Sequence, residues 1–309
     1  MKPKIVVVGS SNTDLVLKLP GLPKPGETII GGTFSTAQGG KGANQAVAAS
    51  RVGGDVTFIT KVGNDLLGTE TLRSLNQDSL DLRFTRRHPT TASGVAFIFV
   101  DEKGENCIGV ASGANSELLP ADIEDARAAI TSADILLVQL EVPLATVQAA
   151  AKIASAGGVR FLLNPAPAQE LQPSLLNLVS VIIPNEHEAG RLTGIEVIDE
   201  KSAAAASSRL RMMGVSSVVV TLGSRGAFID SGDAVSLVAP FTVNAVDTTA
   251  AGDVFCGALA VGLAEGKSLE DASRLANAAG AISVTRPGAQ PSAPSREEIE
   301  QLLAESWNG

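Results

Sequence analysis

Short runs rich in Val, Ile and Leu alternate with longer alanine-rich stretches along this chain, and that alternation limits the possible folds more than any other property of the sequence. Short unbroken apolar runs suit strands buried on both faces, and the longer stretches suit helices crossing between parallel strands. Strand candidates are 5–8, 56–60, 135–139, 160–163, 181–183 and 217–221. Helix candidates are 43–52, 66–77, 121–131, 144–156, 203–213, 250–264, 269–284 and 296–305. The expected fold is α/β, a mostly parallel central sheet with helices on both faces. Segments 15–34 and 93–110 break the rhythm, because apolar and polar residues alternate there around Pro20-Gly21, Pro25-Gly26 and Lys103-Gly104. They are expected to form hairpins outside the main sheet, a small discontinuous β lid within one domain spanning 1–309.

Composition narrows the functions. Hydrophobic residues make up 44% and charged residues 18%, and no run approaches the roughly 18 apolar residues of a membrane span. The opening is basic and then apolar, but Gly9 ends that run too early for a secretory signal. A net charge of −9, a single Trp, nine Phe and no Tyr argue against a nucleic-acid partner. Cys107 and Cys256 have neither metal-ligand spacing nor the density of a disulfide scaffold, so a reducing cytoplasm is expected.

Two turns rich in small residues open helices. One is Gly39-Gly40-Lys41-Gly42-Ala43-Asn44-Gln45-Ala46, and the other is Asp247-Thr248-Thr249-Ala250-Ala251-Gly252-Asp253. A helix start leaves amides without intrahelical partners and carries partial positive charge, so small residues there let a phosphate approach closely. Asp253, in the first turn, could receive the proton of an attacking hydroxyl while the amides of Ala250, Ala251, Gly252 and Asp253 hold the transferring phosphoryl. Alone, Asp253 reads equally well as a charge complementing the helix dipole, and Gly252 as a residue that permits the turn. After the first strand, Gly9-Ser10-Ser11-Asn12-Thr13-Asp14 lacks the Gly-x-Gly-x-x-Gly dinucleotide fingerprint. Gly266-Lys267-Ser268 suggests a phosphate loop, but Val261 stands where its first glycine belongs; Gly266 reads as a helix C-cap and Ser268 with Asp271 as a capping pair. His187-Glu188 is no zinc helix, since Arg191 replaces the second His.

These two turns, in this order, resemble the signatures of the ribokinase-like (PfkB) carbohydrate kinases, and the resemblance runs the length of the chain. It implies ATP-dependent phosphorylation of D-ribose at its terminal hydroxyl, giving D-ribose 5-phosphate and ADP, with Asp253 as base and Ala250 to Asp253 as the anion cradle. It further implies that Asn12, Asp14, Gly40, Lys41, Gly42, Asn44 and Glu141 bind the sugar. Asn185 and Glu188 match the family's Asn-x-x-Glu motif, which implies contacts to nucleotide phosphate and to water-bound Mg²⁺. By the same resemblance, Thr221, Gly223, Ser224 and Gly226 are expected to flank the ATP phosphates and ribose, with Asn277 near the adenine; alone, the 221–226 stretch reads equally well as a hairpin turn. A monovalent cation, K⁺ in most members, is implied among Asp247, Thr249, Ser283, Arg286, Gly288 and Ser292. There Pro287 stiffens the loop and removes one amide. The lid of such kinases covers the sugar and commonly forms a homodimer contact. Two alternatives stay open: a kinase for 2-deoxyribose, fructose or a nucleoside, and a noncatalytic sugar or nucleotide sensor.

Overall fold

A computed structural model describes residues 2–305. Its strands are β1 (Lys4–Val8), β2 (Asn12–Lys18), β3 (Thr33–Gly39), β4 (Asp55–Ile59), β5 (Lys61–Gly63), β6 (Arg86–His88), β7 (Gly94–Val100), β8 (Asn106–Ala111), β9 (Ile135–Val138), β10 (Arg160–Leu163), β11 (Val181–Ile182), β12 (Ser217–Thr221), β13 (Ala227–Asp230) and β14 (Val235–Val238). Eight of them form one sheet in the order β14-β13-β12-β11-β10-β9-β1-β4. Pairing is parallel from β4 across to β12 and antiparallel for the last two strands.

Side chains alternate across a strand, so each face of β1 serves a separate core. Ile5 and Val7 pack with the helices Lys41–Arg51, Ala251–Ala264 and Leu269–Ser283, while Val6 and Val8 pack with Leu144–Ala156 and Glu200–Met212. The expected α/β architecture is therefore present, with both faces covered. The helices Lys41–Arg51 and Ala251–Ala264 lie against each other at close range, because a Cβ on Gly257 would stand 2.7 Å from the Gln45 carbonyl oxygen. That proximity carries Asn44 and Gln45 to the start of the second helix.

A second sheet has the order β3-β2-β7-β8. The expected hairpin at 93–110 is present as β7 and β8, but the one at 15–34 is corrected. Its first strand starts at Asn12 and its second runs on to Gly39, so the Pro20 and Pro25 turns lie in an irregular connection between them. The polar run Asn12-Thr13-Asp14 reads as a loop because no apolar alternation marks it, yet its backbone pairs with Gly39, Gln38 and Ala37 on one side and Gly94, Val95 and Ala96 on the other. The helix expected at 121–131 breaks at Ala126 into Pro120–Asp125 and Arg127–Thr131. The helix Glu186–Thr193 and the strands β5, β6, β13 and β14 had no counterpart among the candidates. No helix among the described residues is long and apolar enough to cross a membrane.

Candidate active site

From β1 the chain passes to β4 on one side, and later returns as β9 on the other. The loops that leave β1 and β9 therefore part at their carboxyl ends, the topological switch point where open α/β sheets bind ligands. Ser10 Oγ donates to Glu141 Oε2 across this gap at 2.5 Å, and the same carboxylate oxygen accepts the Lys41 amide at 3.0 Å. Ser10 also takes the Gly42 amide on its Oγ at 3.3 Å and the Ala43 amide on its carbonyl at 2.9 Å. Only glycines allow this seat, since a Cβ on Gly42 would come within 2.6 Å of the Gly9 carbonyl carbon. Glu141, expected beside the sugar, thus commits one oxygen to anchoring the helix start at Lys41.

The helix Ala251–Ala264 begins differently. Ala250 adopts the left-handed conformation, φ 59° and ψ 11°, and no side chain caps the helix. The Ala251 amide reaches the Thr248 carbonyl at 3.3 Å, whereas those of Gly252 and Asp253 have no protein acceptor among the described residues. Gly252 is not the turn residue, because Ala250 holds the positive φ; a Cβ on Gly252 would meet nothing within 4 Å. Its lack of a side chain leaves open space at an unsatisfied helix start, the arrangement that binds anions.

Asp253 is 7% exposed and faces that space. Its Oδ2 accepts from Asn44 Nδ2 and its Oδ1 from Gln45 Nε2, both at 2.9 Å. A cavity of about 190 Å³ runs past Lys41, Asn164, Asn185, Glu188, Ala250, Ala251, Gly252, Asp253 and Cys256. Asp253, ahead of the opposing effect of burial, keeps the Lys41 ammonium charged above its ordinary range, with Glu141 and Glu188 adding to it. Burial raises the Glu188 carboxyl, although the Asn185 amide and Lys41 pull the other way.

On the second sheet, Asn12 Oδ1 accepts from Asn115 Nδ2 at 2.7 Å, and Asn115 also takes the Ser11 amide at 2.9 Å. Asp14 lies over Gly39, where a Cβ would stand 2.3 Å from its Oδ2. Its carboxyl is pushed up to about 6, first by burial and then by Glu141 and Asp253. Gly40, at φ 89°, caps the helix start beneath Asn12, whose amide nitrogen would stand 2.7 Å from a Gly40 Cβ. The structure therefore gathers Asn12, Asp14, Gly40, Lys41, Asn44, Glu141 and Asp253 at one end of the main sheet.

A larger cavity of about 660 Å³ adjoins the first and shares Asn185, Thr221, Thr248, Ala251 and Gly252 with it. Gly223, Ser224, Gly226, Phe241, Phe255 and Asn277 also line it. This volume and mixed lining fit a nucleotide-sized ligand. Asn185 and Glu188 form a reciprocal helix cap, with the Asn185 amide on Glu188 Oε2 at 2.9 Å and the Glu188 amide on Asn185 Oδ1 at 2.8 Å. That cap leaves Asn185 Nδ2 for the cavities. Asn277 Nδ2 is taken by the Val238 and Ala239 carbonyls, each at 3.1 Å, so it turns an acceptor oxygen toward any base. Gly223–Arg225 makes a 3-10 turn between antiparallel β12 and β13, so the stretch is a hairpin turn and a cavity wall at once.

The cation candidates lie on the loop before Ala251–Ala264 and on the segment from the end of the helix Leu269–Ser283 to the 3-10 turn Gln290–Ser292, and Asp247 ties the two together. Its Oδ1 accepts the Thr249 amide at 2.9 Å and its Oδ2 the Gly288 amide at 2.8 Å. Burial works against the charge of Asp247, yet hydrogen bonds from Thr249 and Gly288 hold its carboxyl below the ordinary range. Ser283 and Ser292 are buried, and their hydroxyls donate to the Gly280 and Ala289 carbonyls, each at 2.8 Å. The Arg286 guanidinium is turned to Glu298, leaving only its carbonyl for the loop. A donor set of one carboxylate, carbonyls and hydroxyls, all oxygen, fits a hard monovalent cation.

Sequence reasoning assigned no role to Gln45, Asn115, Gln139, Asn164 or Cys256, all of which lie at or against this site. Asn164 carried a usable signal, a polar residue directly after the buried strand β10. Asn185 and Glu188 carried another, since Asn-x-x-Glu is itself a capping-box pattern.

Comparison with known proteins agrees with this geometry. The pfkB family carbohydrate kinase model matches residues 2–296. A ribokinase of Haemophilus influenzae is 45% identical over 303 residues, which cover 98% of this chain and 99% of the relative. A deoxyribokinase of Salmonella typhi is 38% identical over 301 residues, covering 97% and 98%. The solved structure of Arabidopsis thaliana ribokinase complexed with ribose and ATP has a TM-score of 0.91 at 33% identity, covering 98% of this chain and 99% of that one. The chain belongs to the pfkB family of carbohydrate kinases.

Proposed function

We propose that this kinase transfers the γ-phosphoryl group of ATP to the terminal hydroxyl of D-ribose, giving D-ribose 5-phosphate and ADP. The observation that carries the reading is the pair of amides at Gly252 and Asp253 that have no acceptor among the described residues, beside a buried carboxylate and where two cavities adjoin at Gly252. ATP lies in the larger cavity with its terminal phosphate at the helix start. Asn12, Asp14 and Asn44 hold the sugar hydroxyls, and Asp253 accepts the proton as the hydroxyl attacks. Lys41, in the same small cavity, offsets charge on the transferring group. Positioning and charge stabilisation supply most of the acceleration. Mg²⁺, when bound, would neutralise phosphate charge, and Glu188, which lines the small cavity, would hold it through water. K⁺ fits the oxygen set around Asp247.

The second sheet serves as the lid. Asp14 pairs with Ala96, Val16 with Ile98, and Val110 and Ile108 lie opposite Ala96 and Ile98, so one face carries both the sugar contact and an apolar stripe. Ile108 and Val110 remain 54% and 55% exposed, which supports a homodimer through this face. Sedimentation should give a dimer, and Ile108→Asp a monomer. The unpaired Cys107 and Cys256 support a cytoplasmic setting.

An ADP-release assay across pentoses, hexoses and nucleosides, each with and without K⁺, tests the reading. Ribose should give the highest kcat/KM, raised by K⁺. A higher value for 2-deoxyribose would transfer the assignment to the activity named for the Salmonella relative, and no ADP with any acceptor would leave a sensor.

A further inference from the structure

Asp253 occupies the third position of its helix, from which a short carboxylate ordinarily swings back onto the free amides of its own first turn. Here it does not. Gln45 and Asn44 each take one of its oxygens, and the amides of Gly252 and Asp253 stay without an acceptor among the described residues. Gln45 is fully buried and its other bonds fix its direction. Asn164 Nδ2 donates to the Ile183 carbonyl at 2.9 Å, which leaves Asn164 Oδ1 to accept from Gln45 Nε2 at 3.0 Å. Gln139 Nε2 donates to Gln45 Oε1 at 2.5 Å. Both N–H groups of Gln45 are therefore spent, one on Asn164 and one on Asp253, and its oxygen is spent on Gln139. No rotation of that amide preserves the set, because a carboxylate and a carbonyl only accept.

We propose that Gln45 is a positioning residue for phosphoryl transfer: its buried amide, oriented by Gln139 and Asn164, holds the Asp253 carboxylate off the amides of its own helix and toward the sugar hydroxyl. This rests on Asp253 being the base. Without Gln45 the carboxylate folds back onto Gly252 and Asp253, which misplaces the base and fills the anion cradle with the protein's own charge. Gln45 touches neither reacting atom, so its loss acts on turnover and leaves sugar binding by Asn12 and Asp14 in place.

The test compares Gln45→Met, which keeps length and removes every hydrogen bond, with Gln45→Glu, which keeps shape and adds an acid. Gln45→Met should lower kcat about 10²-fold, the scale of a misplaced reacting group, while KM for ribose moves no more than about twofold. In Gln45→Glu the introduced carboxyl can donate to Asp253 only while protonated, so kcat should fall at alkaline pH, a limb absent from the parent and from Gln45→Met. Asp14, Lys41, Glu141, Glu188 and Cys256 also act on this locus electrostatically, but all three proteins share them, so the added limb isolates position 45. The thermal unfolding midpoint reports folding, and if Gln45→Met fails to fold, the Gln45→Glu profile decides. Asp253→Asn is run beside them. Parental turnover there removes the base and this inference together. Loss of turnover there, with parental kcat in Gln45→Met or an unchanged pH profile in Gln45→Glu, overturns the inference alone.

Discussion

The helix starts at Lys41 and Ala251 look alike in sequence, turns of small residues that open alanine-rich helices, and neither carries a side-chain cap of its own. Helices beginning after Asp65, Asn185, Asp199 and Ser268 do cap themselves. The difference between the two uncapped starts is what fills them. At Lys41 the amides are satisfied by Glu141 and Ser10, so the protein supplies its own anion and gains a rigid platform. At Gly252 and Asp253 nothing from the described chain arrives, and the exposed N–H groups suit a phosphate. Equivalent motifs thus divide into a finished joint and an open socket.

Substitutions can break this contrast. The largest effect should come from Asp253→Asn, which is expected to cut kcat at least about 10²-fold while nucleotide binding stays measurable by calorimetry. Parental turnover would remove Asp253 from the mechanism. Gly252→Ala places a methyl in the open space common to both cavities and should lower kcat/KM for ATP by roughly 10-fold or more with little change in thermal midpoint. Glu141→Gln should do the reverse. It weakens a charge-assisted helix anchor, costing about 1 kcal/mol in urea unfolding, with a smaller loss of turnover. If Gly252→Ala destabilised the fold as much as Glu141→Gln, the two starts would not differ as described.

The smallest effect concerns pH. Because the Asp14 carboxyl is pushed up to about 6, acidification through that range neutralises a group expected to accept sugar hydroxyls, so KM for ribose should rise several-fold toward about pH 5. Stability responds with the opposite sign. The folded group binds its proton more readily than the unfolded one, so its contribution improves as pH falls through the same window. A flat KM between neutral and about pH 5 would separate Asp14 from sugar binding.

The main sheet was legible because burial on both faces writes itself as unbroken Val, Ile and Leu, and the ends of 160–163 and 217–221 agree with the structure. The strand β2 was not fully legible, since its first residues serve a ligand and lose the alternation that marks a strand. The antiparallel strand β13 was hidden for a related reason, as the glycines that form the turn between it and β12 read equally well as a ligand loop. At the site, local motifs revealed the turns and Asp253. The amide chain through Gln45, Gln139 and Asn164 joins residues far apart in sequence, and no local pattern encodes such a meeting.

Ala250 has one more consequence. A side chain in the left-handed region costs roughly 1–2 kcal/mol that glycine would not incur. In exchange, its methyl denies the pivot the many other directions open to glycine. The fan of N–H groups beyond it therefore points one way before any phosphate arrives, and less entropy is lost at the moment of capture.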